Sequence, residues 1–389
     1  MFKDNRRVVL FTLAFLYIFG ESTLAPFYPQ FFEKEFGVSS PHLTGAYLMV
    51  CRFAVVLSAP LWGIMSQKYK LTHMLPVAQI AAIVAALGCY FSDSLWFFFG
   101  ASLLLVTAKC SALLLYPELL KGRSSRVQVI CNVHLLANIA VLVATVAGIW
   151  VMGLASPRTA FLIAAGLELM QLGLCLLLKE KSKEEKQEPT SARSDSIPYK
   201  QWFAQTGSLL LMSYCALQLI RPFFTKFITD EAGLSLLQSG ICFLVPFAVA
   251  APLLYLIGRT YKGGRYMMLI SVGLTVFVFS LLGQVATGSQ ILLWSGRVLM
   301  GIVTVLLPLA FDEKVFSEAA EGSSSKVYSW SFALQNLALI IAPLCSALLV
   351  EWGSLYWPFY ASLILTLVTL FKFTLYLQSE KNNVEELTV

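Results

Sequence analysis

Residues 26–39 read PFYPQFFEKEFGVS and residues 222–235 read PFFTKFITDEAGLS. Pro26-Phe27-Tyr28, Glu35, Gly37 and Ser39 meet Pro222-Phe223-Phe224, Glu231, Gly233 and Ser235 at an offset of 196 residues. Further along, Ala59-Pro60 precedes Tyr69-Lys70 as Ala251-Pro252 precedes Tyr261-Lys262, at an offset of 192. Ser124-Ser125-Arg126-Val127 and Asn138-Ile139-Ala140 are echoed by Ser324-Ser325-Lys326-Val327 and Asn336-Leu337-Ala338. One match could be chance, but ordered matches at a near-constant offset mark an internal repeat of about half the chain.

The stretch between the repeats, Lys179 to Gln201, reads KEKSKEEKQEPTSARSDSIPYKQ and has the composition of a solvated linker. The expected organisation is therefore a first unit over 1–178, a linker over 179–201 and a second unit over 202–389.

Each half is strongly apolar. Residues of the hydrophobic class make up 58% of the chain and charged residues only 13%, too little polar surface for an ordinary soluble domain. Apolar runs of membrane-crossing length fall at about 8–31, 43–66, 73–92, 95–117, 127–152, 158–178, 202–228, 236–257, 265–286, 290–311, 327–350 and 355–377. The expected fold is an all-α integral membrane protein of about twelve transmembrane helices in two six-helix bundles. Six is even, so both halves cross with the same orientation and form a parallel pseudo-repeat. The run from Val8 to Phe32 is too long for a signal-peptide core and reads as the first span.

The net charge of +6 is a topology signal rather than a nucleic-acid signal. Basic residues cluster in alternate loops: Lys3, Arg6, Arg7; Lys68, Lys70; Lys121, Arg123, Arg126; Lys179 to Lys200; Arg259, Lys262, Arg265; Lys314, Lys326. The other side holds Lys34, Arg158 and Lys226. The positive-inside bias puts both termini in the cytoplasm, in a bacterial inner membrane. The eight cysteines lie in apolar stretches without a C-x-x-C pair, and there are three histidines. Neither a disulfide framework nor a metal site is expected. No nucleotide-binding P-loop, nucleophile elbow or cofactor motif occurs, so no enzyme activity or cofactor is expected and energy must come from a gradient.

Gly63-Ile64-Met65-Ser66-Gln67-Lys68-Tyr69, after the second span, is similar to the G-x-x-x-D-R-[FY]-G signature of the major facilitator superfamily, with Gln67 in place of the acid and Lys70 in place of the final glycine. Arg297 to Gly301 resembles its R-x-x-x-G pattern, and Pro26 and Pro29 followed by E-x-G-x-S resemble its drug-and-metabolite branch. The fifth span, Val127 to Met152, lacks the G-P-x-x-G-G of the proton-antiporting exporters. The resemblance implies alternating access, with spans one, four, seven and ten lining a cavity.

Ionisable residues inside spans are costly and point to function. Glu21, Arg52, Lys109, Glu168, Arg221 and Arg297 all sit mid-span, and the four spans implied to line the cavity each carry one. Four cations against two carboxylates leave positive charge for an anionic ligand, and arginine suits carboxylate or phosphate oxygens. Lys109, Arg221, Arg297 and Arg52, with Tyr28 and Tyr214, are the substrate-binding candidates. Equally, these cations could be structural, paired with the acids or with backbone carbonyls.

Glu21 is the first proton-coupling candidate, with a permanent pair to Arg52 or Arg221 as its structural alternative. His134 and Glu168 follow it. The expected function is a monomeric, proton-coupled transporter of a small organic anion: a polycarboxylate, a carboxylate-type siderophore or a phosphorylated metabolite. Drug or lipophile efflux is the alternative, and a membrane enzyme or receptor a more distant one.

Overall fold

In a computed structural model, residues 2–23, 28–38, 41–121, 126–152, 156–178, 199–319 and 324–388 are described. Residues 179–198 of the linker, Pro26, Phe27, Ser39, Ser124 and Ser125 lie outside the described residues. Along the first half run α1 (Phe2–Ser22), α2 (Tyr28–Phe36), α3 (Pro41–Lys68), α4 (Leu71–Tyr90), α5 (Leu95–Lys109), a 3-10 stretch (Cys110–Leu114), α6 (Leu115–Leu120), α7 (Arg126–Met152) and α8 (Thr159–Leu177). The second half has α9 (Tyr199–Trp202), a π turn (Phe203–Gly207), α10 (Ser208–Leu219), α11 (Phe224–Asp230) and α12 (Leu236–Thr260). It continues with α13 (Tyr266–Val285), α14 (Gln290–Glu318), α15 (Ser324–Trp352) and α16 (Trp357–Thr388).

Among the described residues, ten helical stretches are long and apolar enough to cross a membrane. The expected first and seventh spans are not among them. Helix α1 carries Arg6, Arg7 and Glu21 and ends at Ser22. The seventh span, expected to be continuous over 202–228, is broken between Leu219 and Phe224, where Pro222 has no N–H to carry the helix on.

Two compact units form. One comprises Met1–Ser124, Asn132–Ser196 and Ala319–Ala333; the other comprises Ser125–Cys131, Ile197–Glu318 and Leu334–Val389. In the first, Phe98 meets Phe31 and Phe161 at centroid distances of 5.3 Å each. Ala82, Ala85 and Ala86 of α4 join this core, small residues that let helices approach where lipid supplies no hydrophobic drive. In the second unit, α13 and α14 meet backbone to backbone. A Cβ at Gly283 would come within 2.8 Å of the Leu292 carbonyl oxygen, and one at Gly296 within 2.8 Å of the Ser280 carbonyl oxygen.

The repeat is visible in bonds. Gly37 and Gly233 both adopt φ 65°, a left-handed conformation that a Cβ disfavours. The Val38 N–H donates to the Phe32 carbonyl at 3.2 Å, and the Leu234 N–H to the Ile228 carbonyl at 3.3 Å. These matched bonds, each reaching the carbonyl six residues back, close the two short helices α2 and α11. Phe31 packs on Phe161 at 5.6 Å in one unit, as Phe227 packs on Phe359 at 4.3 Å in the other. Each unit also ties its first helix to a glutamate at the end of its fourth span. Arg6 Nη2 lies 2.7 Å from Glu118 Oε1, and Thr206 Oγ1 donates to both Glu318 oxygens at 2.9 and 2.8 Å.

One loop of the second unit is built on a single carboxylate. The Tyr261 hydroxyl donates to Glu313 Oε2 at 3.1 Å and accepts from the Arg265 N–H at 2.9 Å, while the Gly264 N–H donates to Glu313 Oε1. Gly263 and Gly264 take φ 89° and 84° to make the turn. Burial, with help from the Glu313 charge, pushes the Tyr261 hydroxyl up to about 12.

Candidate functional site

Three of the intramembrane charges meet in the first unit. Lys109 ends α5, where the chain tightens into the 3-10 stretch before Pro117, whose missing N–H leaves the Leu113 carbonyl without its helical donor. Lys109 Nζ lies 3.1 Å from Glu168 Oε1 of α8 and 4.0 Å from Glu21 Oε2 of α1. It also sits 5.8 Å from the centroid of the Tyr17 ring. Gly20 makes room for it, since a Cβ there would come within 3.2 Å of the ammonium. The Lys109 and Glu168 side chains are 5% and 1% exposed, whereas Glu21 is 34% exposed.

The Glu21 side opens on a cavity of about 60 Å³, lined by Glu21, Thr23, Tyr28, Tyr47, Ser102 and Lys109 and walled by apolar side chains that include Leu105 and Phe161. The cavity thus brings together Glu21, Lys109 and Tyr28. Lys109, which the structural alternative for Glu21 did not name, lies within ion-pair distance of it. Glu168 borders Lys109 from behind.

Arg297 and Arg221 share an aromatic ladder in the second unit. The Arg297 guanidinium stands 3.9 Å from the Phe224 centroid, Phe224 and Phe243 are 6.2 Å apart, and Phe243 and Phe247 are 6.1 Å apart. Arg221 lies 5.9 Å from the Phe247 ring, exposed at the break before Pro222. Arg297 is buried, and its Nε, Nη1 and Nη2 donate to the Cys242 carbonyl (2.9 Å), Gln284 Oε1 (3.1 Å) and the Phe243 carbonyl (3.1 Å). One turn on, a Cβ at Gly301 would come within 2.6 Å of Val249 Cβ. In this chain the R-x-x-x-G pattern seats α14 against α12.

The remaining candidates are dispersed. Arg52 is half-buried on α3, and Tyr214 lies on α10 within electrostatic reach of Asp312. His134 meets Tyr116 at 6.4 Å, away from the Glu21 cavity.

A second charged cluster escaped sequence reasoning. Lys314, expected in a basic loop, is 1% exposed inside α14. Its Nζ lies 2.6 Å from Glu318 Oε1, donates to the Tyr376 hydroxyl at 3.0 Å and stands 4.6 Å from that ring. The i, i+4 spacing of Lys314 and Glu318 was the available signal, masked because charges at the end of an apolar run look like its boundary. Thr23 and Ser102 of the cavity carried no signal. Among the described residues, no three His, Cys, Asp or Glu side chains gather as a metal site.

The description of the major facilitator superfamily matches residues 10–262 and 206–388. No curated protein sequence matches the chain significantly. Two solved structures share the fold. One is the human organic anion transporter MFSD10 (TETRAN), at TM-score 0.80 and 16% identity over 95% of this chain and 99% of that one. The other is a bacterial homologue of the iron transporter ferroportin in an outward-facing state, at TM-score 0.71 and 13% identity over 96% and 99%. With two family matches over a duplicated helical chain, this multi-pass integral membrane protein is a transporter rather than an enzyme and belongs to the major facilitator superfamily.

Proposed function

We propose that the chain is a proton-coupled secondary transporter that carries a small organic anion by alternating access between its two halves. The observation that carries the proposal is Lys109, buried between two carboxylates of which one, Glu21, faces a cavity. A buried ammonium is kept only where it is paired. A pairing with one partner exposed is open to competition from an anion or a proton. The fold neighbour described as an organic anion transporter agrees with this reading.

The test is a thermal-shift screen of the purified protein against polycarboxylates, aromatic monocarboxylates, siderophores and phosphorylated metabolites, with cationic and neutral lipophiles as the contrast. A ligand that binds the native state raises its melting temperature by mass action. Stabilisation by anions, followed by uptake of the same anions into proteoliposomes under an acid-outside gradient, supports the proposal. Stabilisation by lipophilic cations alone would overturn it in favour of efflux.

A further inference from the structure

We infer that Lys109 keeps Glu168 as its fixed partner and exchanges Glu21 for the carboxylate of the substrate, so that one proton and one organic monoanion load together. The inference rests on the proposed anion transport and names its substrate class and stoichiometry.

The asymmetry of the two carboxylates carries it. Glu168 is 1% exposed at 3.1 Å from the ammonium and is not part of the cavity wall. Glu21 is 34% exposed, sits at 4.0 Å and lines the cavity. A cavity of about 60 Å³ has room for about four waters. A carboxylate fits there in place of water. Lys109 is the one cation in the described lining, and Tyr28, Tyr47, Leu105 and Phe161 of the same wall suit an aromatic or aliphatic body rather than a second charge.

Charge accounting gives the stoichiometry. With both acids ionised, the Glu21–Lys109–Glu168 cluster carries a formal charge of minus one. Protonating Glu21 neutralises it, its contact to Lys109 is released, and the substrate carboxylate takes the vacated side of the ammonium. No covalent bond other than the new O–H of Glu21 forms, and the cluster again carries minus one. The empty and loaded sites therefore have the same charge, and the cycle moves no net charge.

Other groups also act on Glu21. Tyr17 lies on its own helix, Tyr28 on α2, Cys51 on α3, and Lys109 and Cys110 at the end of α5 are within its electrostatic reach. Arg52 of α3 is within electrostatic reach of Tyr17 and Cys51, on which it acts with the opposite sign to Glu21. Each of these is present in both the empty and the loaded site, so none alters the difference between them.

The experiment uses the full chain, purified and in proteoliposomes, with hippurate as the monocarboxylate probe. Because binding takes up one proton, hippurate affinity is expected to rise about tenfold per unit fall in pH over the range of uptake. Glu21→Gln is expected to bind hippurate without that pH dependence, and Glu168→Gln to lose binding at every pH. Uptake is expected to follow a pH gradient and to ignore a potassium diffusion potential.

A wild-type pH slope in Glu21→Gln, or uptake driven by the potential, would overturn the exchange while leaving anion transport intact. So would a Glu21→Gln chain that fails to fold while Glu21→Asp folds, because the exchange makes neutral Glu21 a normal state of the protein. If hippurate does not bind but other anions of the screen do, the monoanion class is wrong. If no anion binds, the proposed function fails with it.

Discussion

Arg297 donates its Nε hydrogen to the carbonyl of Cys242, the oxygen that Pro246 leaves without a helical donor four residues on. A second nitrogen reaches the Phe243 carbonyl, so one guanidinium covers the backbone exposed by the proline. Hydrogen bonds from charged groups contribute about 1.5–3 kcal/mol, and a buried acceptor left bare costs a comparable amount.

Arg297→Met is therefore expected to lower the melting temperature, and less so in a Pro246→Ala background, where the helix supplies its own N–H to Cys242. A coupling of about 1 kcal/mol is expected from a double-mutant cycle on purified protein. Additive effects would refute the link. Normal melting with lost anion binding would return Arg297 to the substrate site.

Lys314 and Glu318 form a pair whose lysine is almost entirely buried. Removing one member of such a pair costs about 3–5 kcal/mol, whereas replacing both is much milder. Lys314→Met is expected to reduce the yield of folded protein sharply, and Lys314→Met with Glu318→Gln to recover much of it. Equal yields for the single and double variants would mean that Tyr376, not Glu318, is the partner that matters.

Tyr261 is held protonated in the fold, with its hydroxyl pushed up to about 12 from an ordinary value near 10. The unfolded chain loses this proton first, so its contribution is complete below about pH 10 and fades as the pH climbs towards 12. Tyr261→Phe should flatten that part of the melting-temperature profile and lower stability by about 1 kcal/mol at neutral pH. A profile unchanged in the alkaline range would argue that Tyr261 gives up its hydrogen bond to Glu313 without consequence.

The orientation expected from the basic loops puts residue 190 in the cytoplasm and Asp93 outside. Asp93 has a fully exposed side chain, so a cysteine there is open to reagent. An impermeant maleimide added to intact cells is expected to label a cysteine at 93 above the native background and to spare one at 190. The reverse pattern would invert the topology.

Much of this structure was legible in the chain, and the reasons for what was not are physical. Repeats and apolar runs survive in one dimension because they depend on spacing, so the pairing of Gly37 with Gly233 and most helix bounds could be read directly. The identity of the mid-span charges was also readable, since their cost in lipid makes each conspicuous. Their partners were not. That Glu21 meets Lys109 depends on which faces of the helices turn inward, and Gly20 helps by leaving space for the ammonium. The choice for Arg297 between a ligand and backbone carbonyls stayed open for the same reason, since nothing in its neighbours says that a proline on another helix has left a carbonyl in need of a donor.

The seam between α13 and α14 has a dynamic consequence. Where Gly283 and Gly296 let two backbones touch, with the Ser280 hydroxyl donating to the Gly296 carbonyl at 2.8 Å, no side-chain rotamer lies between the helices to absorb sliding. The pair is expected to travel as one stiff rod, its amides among the last to exchange with deuterated solvent. The opposite behaviour belongs at Ile220 to Phe223, where the seventh span is interrupted and opening costs few bonds. Hydrogen exchange would thus divide the second unit into a slow spar and a fast elbow, and Arg221 stands on the elbow.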